Sequence, residues 1–206
     1  MESYASGMPQ GTYHHGHLRR ALLDAAVEAI TESGPAALSL RDLARRAGVS
    51  HAAPTHHFGD KAGLLTALAA EGFDLLGAAL RAASADGDSF LEVGVAYVHF
   101  AVRHRAHFEV MFRPDLYYVD DAELVAARAR SSAILYGGIA AAASAGNAAP
   151  AEPPDSSRLV REAGLAAWSL VHGFTTLWLS GALPADLGDD PDAAARAILR
   201  RSPPNA

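Results

Sequence analysis

The chain has 206 residues, half of them apolar and 19% charged, with no cysteine. That apolar share excludes an intrinsically disordered protein, and the missing thiols exclude disulfides, thiolate metal sites and cysteine nucleophiles. The formal net charge is −6, yet residues 1–61 carry six basic groups, six acidic groups and six of the ten histidines, so the acidic excess lies beyond residue 61. An acidic body repels phosphate, which confines any DNA contact to the N-terminal part. Met1 to Gln10 has no basic start and no apolar run, so no signal peptide is expected and the cytoplasm is the expected compartment.

No stretch alternates apolar and polar for long, while apolar residues recur at three and four, so the fold class is all-α. Glycine and proline breakers predict helices near 15–33, 40–47, 51–57, 61–84, 88–104, 106–112, 121–145, 157–181 and 191–200. The first dozen residues, residues 202–206 and the segment 145–155 with its three prolines read as tails and loop.

The run SLRDLARRAGVSHAAPTHHFGDKAGLL, from Ser39 to Leu65, carries the most information. Ser39 and Asp42 stand at capping-box spacing ahead of a short helix with Leu40, Leu43, Ala44 and Ala47 on one face. Gly48 stops that helix, Val49 plugs the corner and Ser50 is placed to cap the next. Helix, glycine turn, helix is a helix-turn-helix, and its second helix is the one shaped to enter a major groove.

Ala44-x-x-Ala47-Gly48-Val49-Ser50, followed by His57-Phe58-x-x-Lys61-x-x-Leu64-Leu65, resembles the DNA-binding domain of the TetR family. The preceding helix, with Leu18, Leu22, Leu23, Ala26 and Ile30, is similar to that family's first helix. The resemblance implies a regulator that binds operator DNA as a dimer and is released by a small molecule. His51, Ala52, Ala53, Thr55 and His56 would then face base edges, the alanines touching thymine methyls. Ser39, Arg41, Ser50, His57 and Lys61 would hold phosphates, and His15 and His17 would border the backbone. Two residues depart from the pattern. Thr55 stands where the family has tyrosine, which shortens reach to a phosphate at a cost of about 1 kcal/mol. Pro54 lies inside the predicted recognition helix, where it forfeits one amide bond.

Beyond residue 61 the chain reads as an alanine-rich helical bundle. Ala163 to Ala185 runs 23 residues without a charged side chain, long enough to cross a bilayer. Its polar residues and two apolar stripes argue instead for a helix buried on two faces, one against its own domain and one against another subunit. Phe100, Phe108, Met111 and Phe112 concentrate apolar area in a chain only 7% aromatic. Trp168-x-x-x-His172-Gly173 resembles the Trp-His-Gly signature of one TetR branch, and its four-residue spacing sets Trp168 and His172 on one face. Phe100, His104, Phe108, Met111, Trp168 and His172 are the candidate effector-pocket residues; packing in an ordinary core explains them equally well.

His14-His15-x-His17 and the trio His99, His104 and His107 invite a metal reading, but no HExxH and no thiolate support it, so no metal or cofactor is expected. Asp120-Asp121 and Asp189-Asp190 read as helix starts, and with no nucleophile elbow or phosphate loop the chain is not expected to be an enzyme. The expected architecture is a helix-turn-helix domain over 13–60 and a ligand-binding and dimerisation bundle over 61–201. The expected function is a ligand-responsive transcriptional regulator, with repression as the expected sign. It would bind a palindromic operator as a homodimer through 157–181 and 191–200, and a small apolar or amphipathic molecule would release it, with no membrane partner. The alternative is a helical protein-interaction module with a vestigial helix-turn-helix.

Overall fold

The computed structural model describes residues 11–85, 90–146 and 156–201, so most of the predicted tails and of the predicted 145–155 loop lie outside it, while Gly11 and Thr12, expected in the tail, are helical. The described residues form nine α-helices and no strand: α1 (Gly11–Ser33), α2 (Leu40–Arg46), α3 (Ala53–Phe58), α4 (Lys61–Ala85), α5 (Phe90–Arg103), α6 (Arg105–Met111), α7 (Ala122–Gly146), α8 (Ser156–Leu179) and α9 (Pro191–Leu199). Most boundaries fall within two residues of the periodicity reading. The exception is α1, which starts four residues earlier than expected.

Leu22, Leu23, Ala26 and Ile30 of α1 meet Leu43 of α2 and Leu64, Leu65 and Leu68 of α4, all buried in one continuous core. The same core runs down α4 through Phe73, Leu76 and Leu80 to Val98, Phe100, Met111 and Leu124. Helix α4 packs against α5, α6 and α7, while α6 also touches α1. At Gly72 an added Cβ would lie 2.8 Å from Met111 Cγ and 3.1 Å from His107 Cβ, so glycine there lets α4 and α6 close on each other.

Helix starts behave as the carboxylate pairs suggest. Asp190 accepts from the amides of Asp192 and Ala193, with Pro191 in the first turn of α9. Asp121 accepts from Leu124 N at the head of α7. Among the described residues, the helix long and apolar enough to cross a membrane is α4, not the 163–185 segment. It is the central core helix, with 61% of its most apolar window buried inside the protein.

Helix α8 buries one face within the described residues, where Gly164, Val171, Phe174 and Thr175 point inward. Leu159, Ala163, Ala166, Leu170 and Leu177 remain exposed on the other side. Gly173 does not serve a close approach within the chain, since a Cβ there would meet nothing within 4 Å.

Candidate functional site

Gly48, at φ +66°, turns the chain between α2 and α3. His51, Ala52, Thr55 and His56 are exposed on and before α3, and His57 is half-buried beside them with its ring 5.4 Å from that of His56. Ala53 is a correction: it is 8% exposed and, with Pro54, faces inward, so it offers no surface to a base edge. The reason is Pro54. It lacks an amide proton and fits the first helical turn, so α3 begins at Ala53 and not at His51, and Ala53 N donates to Ser50 O at 3.0 Å.

Neither serine caps through its side chain. Ser39 starts α2 with its carbonyl, accepting from Leu43 N at 2.9 Å. Asp42, the would-be box partner, is drawn to Arg45 at 2.6 Å and Arg46 at 2.7 Å instead. Both serine hydroxyls are thereby exposed. Lys61, expected on a phosphate, donates to Ala36 O at 2.8 Å and ties the head of α4 to the turn after α1.

Ion pairs occupy much of the positive charge near this surface. Arg46 bridges Asp42 and Glu32, and both carboxyls are held below their usual range, chiefly by its hydrogen bonds. Arg20 is paired with Asp24 and Glu71, and Arg19 lies 5.4 Å over the Phe58 ring. Arg41 is exposed and takes no ion pair among the described residues. His17 is exposed; the side chain of His15 lies outside the described residues, as does that of His14.

Of the six candidate effector residues, the structure brings Phe108, Trp168 and His172 together. Phe100, Phe108 and Met111 are buried, while His104, Trp168 and His172 are half-buried. His172 sits 5.3 Å from the Phe108 ring, 4.6 Å from Phe112 and 5.5 Å from Trp168. His104 stacks on Phe100 at 5.2 Å, one step removed from this cluster. Tyr97, missed in the sequence, joins it: its hydroxyl is 2.8 Å from His172 Nδ1 and 3.4 Å from Trp168 Nε1. Burial lowers the His172 pKa and raises that of Tyr97, so both are neutral near pH 7. A surface cavity of about 360 Å³ lies elsewhere, against Arg19, Glu71, Asp74 and Glu123, and none of the six residues lines it. Among the described residues no three His, Asp or Glu side chains stand where they could share a metal ion.

Residues 22–68 match the model of the bacterial regulatory proteins of the tetR family, and residues 90–202, more than half the chain, match the tetracyclin-repressor-like C-terminal domain. The chain belongs to the TetR family. That family is one of bacterial regulatory proteins, and both its N-terminal domain and its repressor-like C-terminal domain are matched here. The regulator BetI of Escherichia coli is 51% identical to it over 49 residues, 24% of this chain and 25% of that protein, so the chain matches about a quarter of the length of the curated relatives. A protein of unknown function from Rhodococcus sp. RHA1 superposes with a TM-score of 0.71 at 38% identity, covering 92% of this chain and 95% of its own. AibR, solved with isovaleryl coenzyme A and operator DNA, superposes with a TM-score of 0.57 at 20% identity over 88% and 95% of the two chains, which speaks for the fold alone.

In this TetR-family chain, two further side-chain links join the bundle to the helix-turn-helix, and neither was expected. Glu71 on α4 sits between His107 Nε2 of α6, at 3.2 Å, and Arg20 of α1, at 2.7 Å. The His107 hydrogen bond, aided by Arg20, holds the Glu71 carboxyl down at about 2. Tyr118 donates to Asp60 at 2.5 Å, binding the turn before α7 to the α3–α4 junction. The partners in these links are separated by 36 to 58 positions, so no local spacing announces them.

Proposed function

We propose that this regulator is a repressor that holds a palindromic operator as a homodimer and releases it when a small apolar or amphipathic molecule enters the ring cluster between α5, α6 and α8. In this reading residues 13–60 read DNA and residues 61–201 sense and dimerise, in the cytoplasm where the operator lies. The observation that carries the responsive part is the Arg20–Glu71–His107 chain, because it crosses α1, α4 and α6 in one set of charge-assisted contacts. A molecule that displaces α6 pulls on Glu71 and hence on α1, and the spacing of two recognition helices changes with it. Coupling of about 1–3 kcal/mol alters DNA affinity roughly 5–150-fold, enough for release.

The outer stripe of α8 supports the dimer. Leu159, Leu170 and Leu177 are 56%, 36% and 46% exposed, and a Cβ added at Gly173 on the same helix would meet nothing within 4 Å among the described residues. Helix α9 contributes less of its surface, since Ala194 and Ala195 are buried and Arg196 is clamped by Glu92 of α5. Its outward residues are Ala193, Ala197 and Arg200.

Fluorescence anisotropy on DNA from upstream of the gene, at two salt concentrations and with scrambled DNA as control, tests the reading. Tight, sequence-selective and salt-sensitive binding by a dimer supports it. Equal, weak binding to every sequence in a random selection refutes it in favour of an interaction module with a vestigial helix-turn-helix, the reading that the paired arginines favour.

A further inference from the structure

Three half-buried rings, Phe112, Trp168 and His172, stand together between the end of α6 and α8. The Tyr97 hydroxyl stands behind them, 5% exposed with its residue and touching both His172 Nδ1 and Trp168 Nε1. An indole N–H can only donate, so Trp168 takes a lone pair of the Tyr97 oxygen. The Tyr97 proton then has one acceptor in reach, the His172 Nδ1 at 2.8 Å. The opposite tautomer would strand that buried proton without a partner. Nδ1 is therefore the bare nitrogen, and the imidazole proton is on Nε2.

Among the described residues His172 Nε2 has no hydrogen-bond partner, and it is not among the buried unpartnered atoms, which are His107 Nδ1 and Asp192 Oδ1. It is therefore not sealed inside the described residues. The rings it touches, Tyr97, Phe108, Phe112 and Trp168, are all uncharged.

We infer that His172 presents a fixed N–H donor at the half-buried ring cluster of α6 and α8 and selects effectors that carry a neutral hydrogen-bond acceptor, such as a ketone, ester or thioester carbonyl, on an apolar body. This rests on the effector-binding reading above. An ammonium could rest on the ring faces, but it offers the N–H no acceptor and would leave that donor unpaired. A carboxylate could accept from the same N–H, but the four rings around His172 supply no cation to offset its desolvation. A carbonyl needs only the one donor that is there.

Two measurements on the full chain test this. In the ligand-free protein, ¹⁵N shifts of the His172 imidazole should show the proton on Nε2, and Tyr97→Phe should let the tautomers mix; a proton on Nδ1 overturns the assignment. Tryptophan fluorescence then compares decan-2-one, decylammonium and decanoate. The ketone should bind roughly tenfold more tightly than either ion, as one satisfied hydrogen bond implies. His172→Phe should erase that preference and His172→Gln, which keeps an N–H donor, should retain it. Absent ketone binding, an ion that binds as tightly, or an unchanged preference in His172→Phe each sinks the proposal. Operator anisotropy in the same samples separates the two readings. Ketone that binds through His172 without loosening DNA defeats the release mechanism alone, whereas release by decylammonium defeats the acceptor rule alone.

Discussion

The two ends of this molecule use their polar side chains in opposite ways. Around α2 and α3 His51 and His56 are exposed and most arginines are neutralised by carboxylates of the same domain, Arg46 by Asp42 and Glu32 and Arg45 by Asp42. Inside the bundle the polar groups away from water share hydrogen bonds, as in Trp168–Tyr97–His172 and His107–Glu71, although His107 Nδ1 is left without a partner among the described residues. A surface meant for a polyanion gains from charge that can be released to it, whereas a low-dielectric core punishes any group left unpaired. Substitutions should therefore act through stability in the bundle and through DNA affinity at the helix-turn-helix.

The sharpest break is expected at Phe100, 2% exposed in the continuous core and stacked on His104. Phe100→Ala leaves a cavity and should lower unfolding free energy by about 3–5 kcal/mol, read from denaturant melts. A loss under about 1 kcal/mol would mean that the cluster is loosely packed.

Glu71 is the group on which the two regions meet. Its carboxyl is held at about 2 against an ordinary 4.5, so the folded state gains stability that is full above about pH 4.5 and drains away as pH falls towards 2. Glu71→Gln should cost about 2 kcal/mol at pH 7 and flatten the acid limb of the stability curve between those values. An unchanged acid limb would show that His107 and Arg20 do not hold the carboxylate in solution.

Periodicity and breakers located all nine helices, because alanine-rich amphipathic helices and Gly48-type stops are local signals that burial then reinforces. Convergence of Phe108, Trp168 and His172 was also legible, since a four-residue spacing and a concentration of rings survive into three dimensions. Partner choice was not. Asp42 looked like half of a capping box but lies one turn from Arg45 and Arg46, and an ion pair outcompetes the Ser39 amide for it. Lys61 matched a phosphate-binding position, yet the carbonyl it takes belongs to Ala36, 25 residues away. Ala53 misled because proline sets where a helix begins, and a two-residue shift in that start turns a residue from groove to core.

A smaller effect is expected at Arg41, exposed and without an ion pair among the described residues. Arg41→Ala should weaken binding to operator and scrambled DNA alike, a few-fold at low salt, and lower the slope of log affinity against log salt by about one. Melting should not move. A loss confined to the operator would place Arg41 on a base instead.

Asp42→Asn asks the comparison its most direct question, and its expected effect is the smallest. The substitution removes the carboxylate that Arg45 and Arg46 share while leaving Glu32 on Arg46, so about one positive charge is freed beside the recognition helix. If those arginines are held back from phosphate, the variant should bind scrambled DNA roughly twofold more tightly at low salt, with a steeper salt slope, and lose sequence preference because the added attraction reads no base. If Asp42 instead sets the angle of α2, affinity for the operator should fall while scrambled DNA is unaffected. The two outcomes have opposite signs, so one salt titration on each DNA decides whether the acidic residues of this domain restrain its affinity or shape its fold.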